Sequence, residues 1–304
     1  MQKKSNRWFI WVFVVVAVVA LFGFSFGSIF DSILSSRPSP SPTVPTAGTT
    51  PTPPAVSDTE KKDLQDLENG YLQILEKEPN NSDALLGLAE ARSQMLKIGL
   101  KKEQDLIDPL EKLVELNPEQ TQYKVLLAQT LQKAGKRESA AQTYRSILAT
   151  QPGDMNALQG FVNLLVEQQR PAAAVELLET TLKNAPQANQ VKPNSINDSA
   201  VKLLLGQVYT GQKQFDQALA VYDKLIANDP KDFRPVFAKA ILLKEQGKAK
   251  EANILFNSAE KLAPGQYKDQ IKAAAKETPA ETPPSPTSPS SPSPQPSPSS
   301  PTPE

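Results

Sequence analysis

Apolar side chains along this chain fall into three kinds of pattern, and each predicts a different element. From Trp8 to Phe30 they form one unbroken, uncharged run, WFIWVFVVVAVVALFGFSFGSIF. As a helix rising about 1.5 Å per residue, such a run crosses the ~30 Å hydrocarbon core of a bilayer. From Lys61 to Pro264 apolar residues return with a helical period, beginning with Leu64, Leu67, Tyr71 and Ile74, which predict a helix over Lys61–Glu78. Flanking that region, Arg37–Ser57 and Glu277–Glu304 contain 7 and 11 of the chain's 28 prolines and too few apolar residues to build a core. Both tracts are expected to be disordered or polyproline-like.

The helical region repeats. Prolines recur at Pro79, Pro118, Pro152, Pro186, Pro230 and Pro264, at intervals of 39, 34, 34, 44 and 34 residues. Three equal intervals are hard to obtain by chance, and the other two differ by insertions of 5 and 10 residues. Twelve residues before successive prolines stand Leu106, Ala140, Ala174, Ala218 and Ala252, and eight before stand Leu110, Tyr144, Leu178, Tyr222 and Phe256. Further back, Ala128, Val162, Gly206 and Ala240 are followed three residues later by Leu131, Leu165, Tyr209 and Leu243. Small residues where two helices touch, each a turn from a large one, predict antiparallel helix pairs. The segments AGKRE, QQRPA, GQKQF and QGKAK supply turns, each with a Gly or Pro expected to stop the helix.

This pattern resembles the tetratricopeptide repeat, a 34-residue helix–turn–helix unit closed by a proline. The resemblance is strongest in LLLGQVYTGQKQFDQALAVYDKLIANDP and next in AKAILLKEQGKAKEANILFNSAEKLAP, and it covers about 82–264 in five units. The tryptophan favoured near each start in that family is replaced here by Leu85, Lys124, Leu158, Lys202 and Val236, and Leu106 stands where the first unit should have a small residue. The resemblance implies an all-α fold, a right-handed α-solenoid of about five helix pairs. One pair cannot bury both of its faces, so neighbours must stack into a continuous core. Lys61–Glu78 then reads as a lone second helix and Gly265–Lys276 as a short polar cap. The expected organisation is a basic flank (1–7), a transmembrane helix (8–30), a Pro/Ser/Thr-rich linker (31–57), the repeat region (58–276) and a Pro/Ser-rich tail (277–304).

Charge and composition narrow the function. Lys3, Lys4 and Arg7 precede the apolar run, and Arg37 alone follows closely. That bias holds the amino end in the cytoplasm and places the repeats across a bacterial or thylakoid membrane, in periplasm or lumen. A cleaved signal peptide is the competing reading; its apolar region is shorter, 7–15 residues, and ends in an A-x-A-like site, unlike GFSFGS. Histidine and cysteine are absent from the whole chain, which removes thiol and imidazole nucleophiles and Cys/His zinc sites. Lys+Arg and Asp+Glu balance at 33 each, so no basic field attracts nucleic acid. GQVYTGQK at 206–213 lacks the Lys spacing, the following Ser/Thr and the preceding strand of a phosphate-binding loop. The sequons at Asn80 and Asn197 coincide with helix starts, where capping explains them. No catalytic residue, metal or cofactor is expected.

What the resemblance implies instead is a concave groove lined by the first helix of each pair. One row along it is Glu90, Gln129, Asn163, Gln207 and Ile241; a parallel row is Leu86, Val125, Gln159, Leu203 and Phe237. Amides pair with both the N–H and the C=O of an extended peptide, and apolar neighbours supply side-chain pockets. The candidate partner-groove residues are therefore Gln129, Asn163, Gln207, Gln159, Phe237 and Ile241. The Lys/Asn pairs with which chaperone-type relatives clamp a carboxyl terminus are Leu86/Glu90, Val125/Gln129 and Gln159/Asn163 here, so that clamp does not carry over. The expected function is a membrane-anchored, non-enzymatic scaffold that binds a partner protein or peptide in assembling a membrane complex. The alternatives are a non-catalytic subunit of an envelope enzyme and a structural protein touching the cell wall. The pattern sets no oligomeric state.

Overall fold

A computed structural model describes residues 57–276, and the predicted transmembrane helix, linker and tail lie outside them. Within the described residues there are 12 α-helices and no strand. In chain order they are α1 (Asp58–Lys77), α2 (Ser82–Lys97), α3 (Ile107–Leu116), α4 (Thr121–Lys133), α5 (Arg137–Thr150), α6 (Met155–Glu167), α7 (Pro171–Val191), α8 (Asp198–Gly211), α9 (Phe215–Asn228), α10 (Phe233–Glu245), α11 (Ala249–Leu262) and α12 (Gly265–Lys276). Five hairpins, α2/α3 through α10/α11, stack in sequence; α1 precedes them and α12 follows. None of these helices is long and apolar enough to cross a membrane.

Local sequence sets the helix ends. Side-chain oxygens of Asn81, Asp154 and Asn197 accept from the backbone N–H of Ala84, Ala157 and Ala200 at 2.9, 2.8 and 3.0 Å, capping α2, α6 and α8. Inside each hairpin one residue turns left-handed: Gly99, Gly135, Gln169, Lys213 and Gly247, all with φ between 59 and 78°. The following N–H then reaches back to the carbonyl of Met95, Leu131, Leu165, Tyr209 or Leu243 at 2.8 to 2.9 Å. The expected stop residues are thus corrected in two turns. Pro171 starts α7 while Gln169 makes the reversal, and Gly211 ends α8 while Lys213 makes it.

The small and large positions pack as their spacing requires. Ala140, Ala174, Ala218 and Ala252 are at most 1% exposed, and Leu110, Tyr144, Leu178, Tyr222 and Phe256 at most 2%. Leu106 is fully buried too, but from the end of a 3₁₀ turn (Glu103–Leu106), which absorbs the five-residue insertion. A Cβ at Gly206 would strike the ring of Tyr222, and one at Gly160 the ring of Tyr144. At these two glycines close helix approach is what the missing side chain provides.

Two expectations fail. Pro186 was expected to close its unit, yet α7 runs through it for five more residues to Val191. A proline inside a helix removes one backbone bond and strains the turn before it; here its side is exposed and the helix continues. The ten-residue insertion is therefore extra helix plus a return segment, 192–197, folded back onto the turn before α6. Ser195 and Ile196 press on Gly153 so closely that no side chain fits there. Of the four apolar positions read in α1, Leu64 and Tyr71 face the neighbours, joined by Glu68 and Leu75, but Leu67 and Ile74 are 44% and 42% exposed. The reason is that α1 has no first helix beside it among the described residues.

Candidate partner groove

The first helices α4, α6, α8 and α10 touch in succession and so form one wall. Between α2 and α4 the 3₁₀ segment intervenes, packed on both. Each helix of the wall shows one side to the solvent and buries the others against its own second helix and the preceding one.

The two rows read from the sequence separate on this wall. Gln129, Asn163, Gln207 and Ile241 are half-buried, one on each of α4, α6, α8 and α10, with Glu90 half-buried on α2. The parallel row is mostly core: Val125, Gln159, Leu203 and Phe237 are 1, 7, 4 and 2% exposed, and only Leu86 keeps a partial surface. Phe237 lies edge-on to Phe256, ring centroids 5.8 Å apart, inside its own hairpin. Of the two rows only Gln129–Ile241 keeps partial surface throughout, while Gln159 and Phe237 sit behind it.

The amides of that row are not fully used within the chain. Gln129 Oε1 and Gln207 Nε2 are shielded from solvent and have no hydrogen-bond partner. The same holds for Asn156 Oδ1 on the first turn of α6, and for Gln212 Nε2 and Gln246 Oε1 just past α8 and α10. Shielded amide atoms of this kind cost free energy until something pairs with them. Asn156, Gln212 and Gln246 were not singled out from the sequence. Their residue types carry no signal, and only the depth at which the helix ends lie reveals them.

Charged groups around the wall are mostly engaged locally. Arg234 holds Asp232 through its Nε and Nη2 at 2.7 to 3.1 Å, and that hydrogen bonding raises the guanidinium pKa further. Lys239 reaches Asp223 at 2.5 Å. Burial lowers the pKa of Lys133 at the end of α4, with Glu103 opposing the shift. Behind the wall, burial raises the Tyr144 and Tyr222 hydroxyls well above the ordinary phenol value, so both stay neutral. Among the described residues no group of three or more His, Cys, Asp or Glu could hold a metal ion.

Comparison with known proteins gives this geometry a context. The sequence model of the family described as "Tetratricopeptide repeat" matches residues 69–261. The chain is 28% identical over 195 residues to protein SLOW GREEN 1, chloroplastic, of Arabidopsis thaliana, covering 64% of this chain and 59% of that protein. It is also 28% identical over 164 residues to cellulose synthase operon protein C of Pseudomonas fluorescens, covering 53% of this chain and 12% of that one. The chain therefore spans only part of either relative. Among solved structures, a tetratricopeptide repeat protein from Parabacteroides merdae superposes with a TM-score of 0.46 at 15% identity, over 81% of this chain and 91% of that one.

Proposed function

The chain belongs to the tetratricopeptide repeat family, and from that premise we propose that it is a membrane-anchored scaffold holding an extended segment of a partner protein. Proteins of this family bind proteins or peptides. The observation that carries the reading is the row Gln129, Asn163, Gln207 and Ile241, one partly exposed residue on each successive first helix. An extended backbone presents donors and acceptors on alternate sides, and a row of amides answers both without demanding a sequence. Ile241 adds an apolar end to the row. The reading is non-catalytic: what the wall contributes is hydrogen bonding and surface.

The anchor rests on the 23 uncharged, mostly apolar residues from Trp8 to Phe30 and on the basic residues before them. It puts the repeats on the extracytoplasmic side, in periplasm or thylakoid lumen, where the scaffold raises the local concentration of whatever it holds. The name of the chloroplastic relative is in keeping with a photosynthetic membrane.

The test is replacement of Gln129, Asn163 and Gln207 together by Ala in the full chain, followed by crosslinking in the native membrane. The partner captured by the parent chain is expected to be lost, with helix content by circular dichroism unchanged. Equal capture by the triple variant overturns the groove reading. Digestion of the repeat region in sealed vesicles by protease added on the cytoplasmic side overturns the orientation.

A further inference from the structure

Charge in this stack is sorted by edge. Successive helices alternate in direction, so the five hairpin turns lie along one edge and the connections between hairpins along the other. Each hairpin turn carries an exposed cation: Lys102, Lys136, Arg170, Lys213 and Lys248. None of the five is held in a salt bridge among the described residues, whereas Lys112, Lys202, Arg234, Lys239 and Lys272 elsewhere on the surface pair with acids. The acids within these turns, Glu103 and Asp105, are answered locally, Glu103 by Lys133 and Asp105 by the Lys102 backbone N–H at 2.8 Å. Lys213 also acts on Glu245 at the end of α10. On the other edge the sign reverses: Glu78, Glu119, Asp154, Asp229 and Asp232 outnumber Lys192 and Lys231. Helix dipoles do not cause the difference, because every hairpin shows one helix start and one helix end on each edge.

The chain enters the stack on the basic edge. Helix α1 is a second helix, and it ends two residues before Pro79 as α5 ends two before Pro152. It has 20 residues against 14 in α5, so its start projects six residues, ~9 Å, beyond the hairpin turns. The 27 residues between Phe30 and Asp58 span ~30 Å as a coil and ~85 Å at polyproline extension. A stack tethered in this way stays within reach of the bilayer, and charge decides which edge turns towards it. With a Debye length of ~8 Å at physiological ionic strength, the choice is made by cations close to the surface.

Resting on the anchored reading above, we propose that the edge of hairpin turns lies on the membrane, with Lys102, Lys136, Arg170, Lys213 and Lys248 against the headgroups of anionic lipids. The same lipids repel the opposite, acidic edge. The helices then stand on the surface, and the wall of α4, α6, α8 and α10 faces sideways. A partner segment lying along the Gln129–Ile241 row runs parallel to the membrane, within one helix length, ~20 Å, of it.

The chain has no cysteine, so single cysteines report position. The full chain carries Gln214→Cys on the basic edge or Ala227→Cys, an exposed site near the other edge. It is reconstituted into phosphatidylcholine vesicles with or without phosphatidylglycerol and labelled from outside with a membrane-impermeant fluorophore. Lipid bearing a nitroxide on its headgroup then quenches any probe close to the surface. Quenching at Gln214→Cys is expected to rise roughly threefold with phosphatidylglycerol, to exceed that at Ala227→Cys, and to fall back in ~1 M salt, where the Debye length is ~3 Å. Replacing the five cations by Gln is expected to abolish the rise with circular dichroism unchanged, because all five side chains are exposed. Equal quenching at the two edges, no response to phosphatidylglycerol, or a response that survives the five glutamines overturns the proposal. So does loss of a crosslinked protein from the five-glutamine variant without any lipid response, which assigns the edge to a protein. A chain that washes off the vesicles in high salt overturns the anchor and this inference with it; a retained chain without contrast between the edges overturns this inference alone.

Discussion

A tyrosine can occupy a position that elsewhere holds leucine only if the residue facing it gives up volume. Tyr144 of α5 lies against Gly160 of α6, and Tyr71 of α1 lies against Gly87 of α2, so two repeat junctions use the same pairing. By repeat position the other junctions are Leu110 with Leu126, Leu178 with Leu204 and Tyr222 with Ala238, and all six residues are at most 5% exposed. Large faces small, or medium faces medium, and interior packing density demands such compensation. Gly160→Leu alone is expected to cost ~1–3 kcal/mol by overpacking, and Tyr144→Leu alone a similar amount by leaving space. Together they recreate the leucine pair of the neighbouring junctions. The double variant is therefore expected to be at least ~1 kcal/mol more stable than the sum of the single effects implies. Thermal unfolding of the four proteins measures this, and strictly additive losses would show that the junctions do not compensate. Proline spacing alone identifies Tyr144 as a packing residue. It does not name Gly160 as the partner, because that depends on where the next helix crosses.

Helix pairing and the order of the hairpins are legible in the sequence, since the 34-residue spacing places Ala218 and Tyr222 at the contact and the turns between. The two insertions are legible in length but not in form. Five extra residues become a 3₁₀ turn that keeps Leu106 buried, and ten become the end of α7 and its return. Pro186 misleads because proline disfavours a helix interior without forbidding it where the missing bond faces solvent. For the groove, the row Gln129–Ile241 follows from the register. The burial of Gln159 and Phe237 does not, since it depends on how far neighbouring first helices overlap. The return after α7 is held by one side chain: Asn189 donates to the Ile196 carbonyl at 3.0 Å and accepts from the Ile196 N–H at 2.9 Å and the Ser195 hydroxyl at 3.1 Å. Asn189→Ala removes all three bonds, each contributing ~1 kcal/mol. The segment is then expected to open locally, carrying Ile196 out of its 2% exposed site while the hairpins stay folded. Amide hydrogen exchange at Ile196 should quicken by tenfold or more, with the amides of α5 unaffected. Unchanged exchange would mean that packing against Gly153, and not Asn189, holds the segment.

In a stack of this kind each unit leans only on its neighbours, so stability is distributed along one dimension and the ends loosen first. The two ends are secured by different physics. At the far end α12 is held by apolar contact, Tyr267 against Phe233 with centroids 5.2 Å apart and Ile271 buried, with Lys244 donating to the Ala274 carbonyl. At the near end α1 adds a charge cluster to its apolar contacts, buried Leu64 and Tyr71 against Gly87. Glu68 is 7% exposed and accepts from Arg92 Nε at 2.7 Å and Lys101 Nζ at 2.9 Å, while Arg92 Nη1 donates to the Asp105 carbonyl at 2.6 Å. Burial by itself would raise the Glu68 pKa, but the hydrogen bonds and charges of Lys101 and Arg92 outweigh it and the carboxyl is lowered. A carboxylate whose folded pKa lies below its unfolded value contributes stability that is complete above the unfolded value and disappears as pH falls through the folded one. Acid should therefore detach α1 ahead of the rest, in the window below about pH 4.5 where Glu68 takes up a proton. Hydrogen exchange along a pH series resolves the order: α1 amides are expected to lose protection while those of α6, whose packing is apolar, retain it. Glu68→Gln should flatten the acid dependence of α1 and lower its protection at neutral pH, because Arg92 and Lys101 then lose their counter-charge. If α1 and α6 open at one pH in both proteins, the charge cluster does not set the order and the stack unfolds as a single unit.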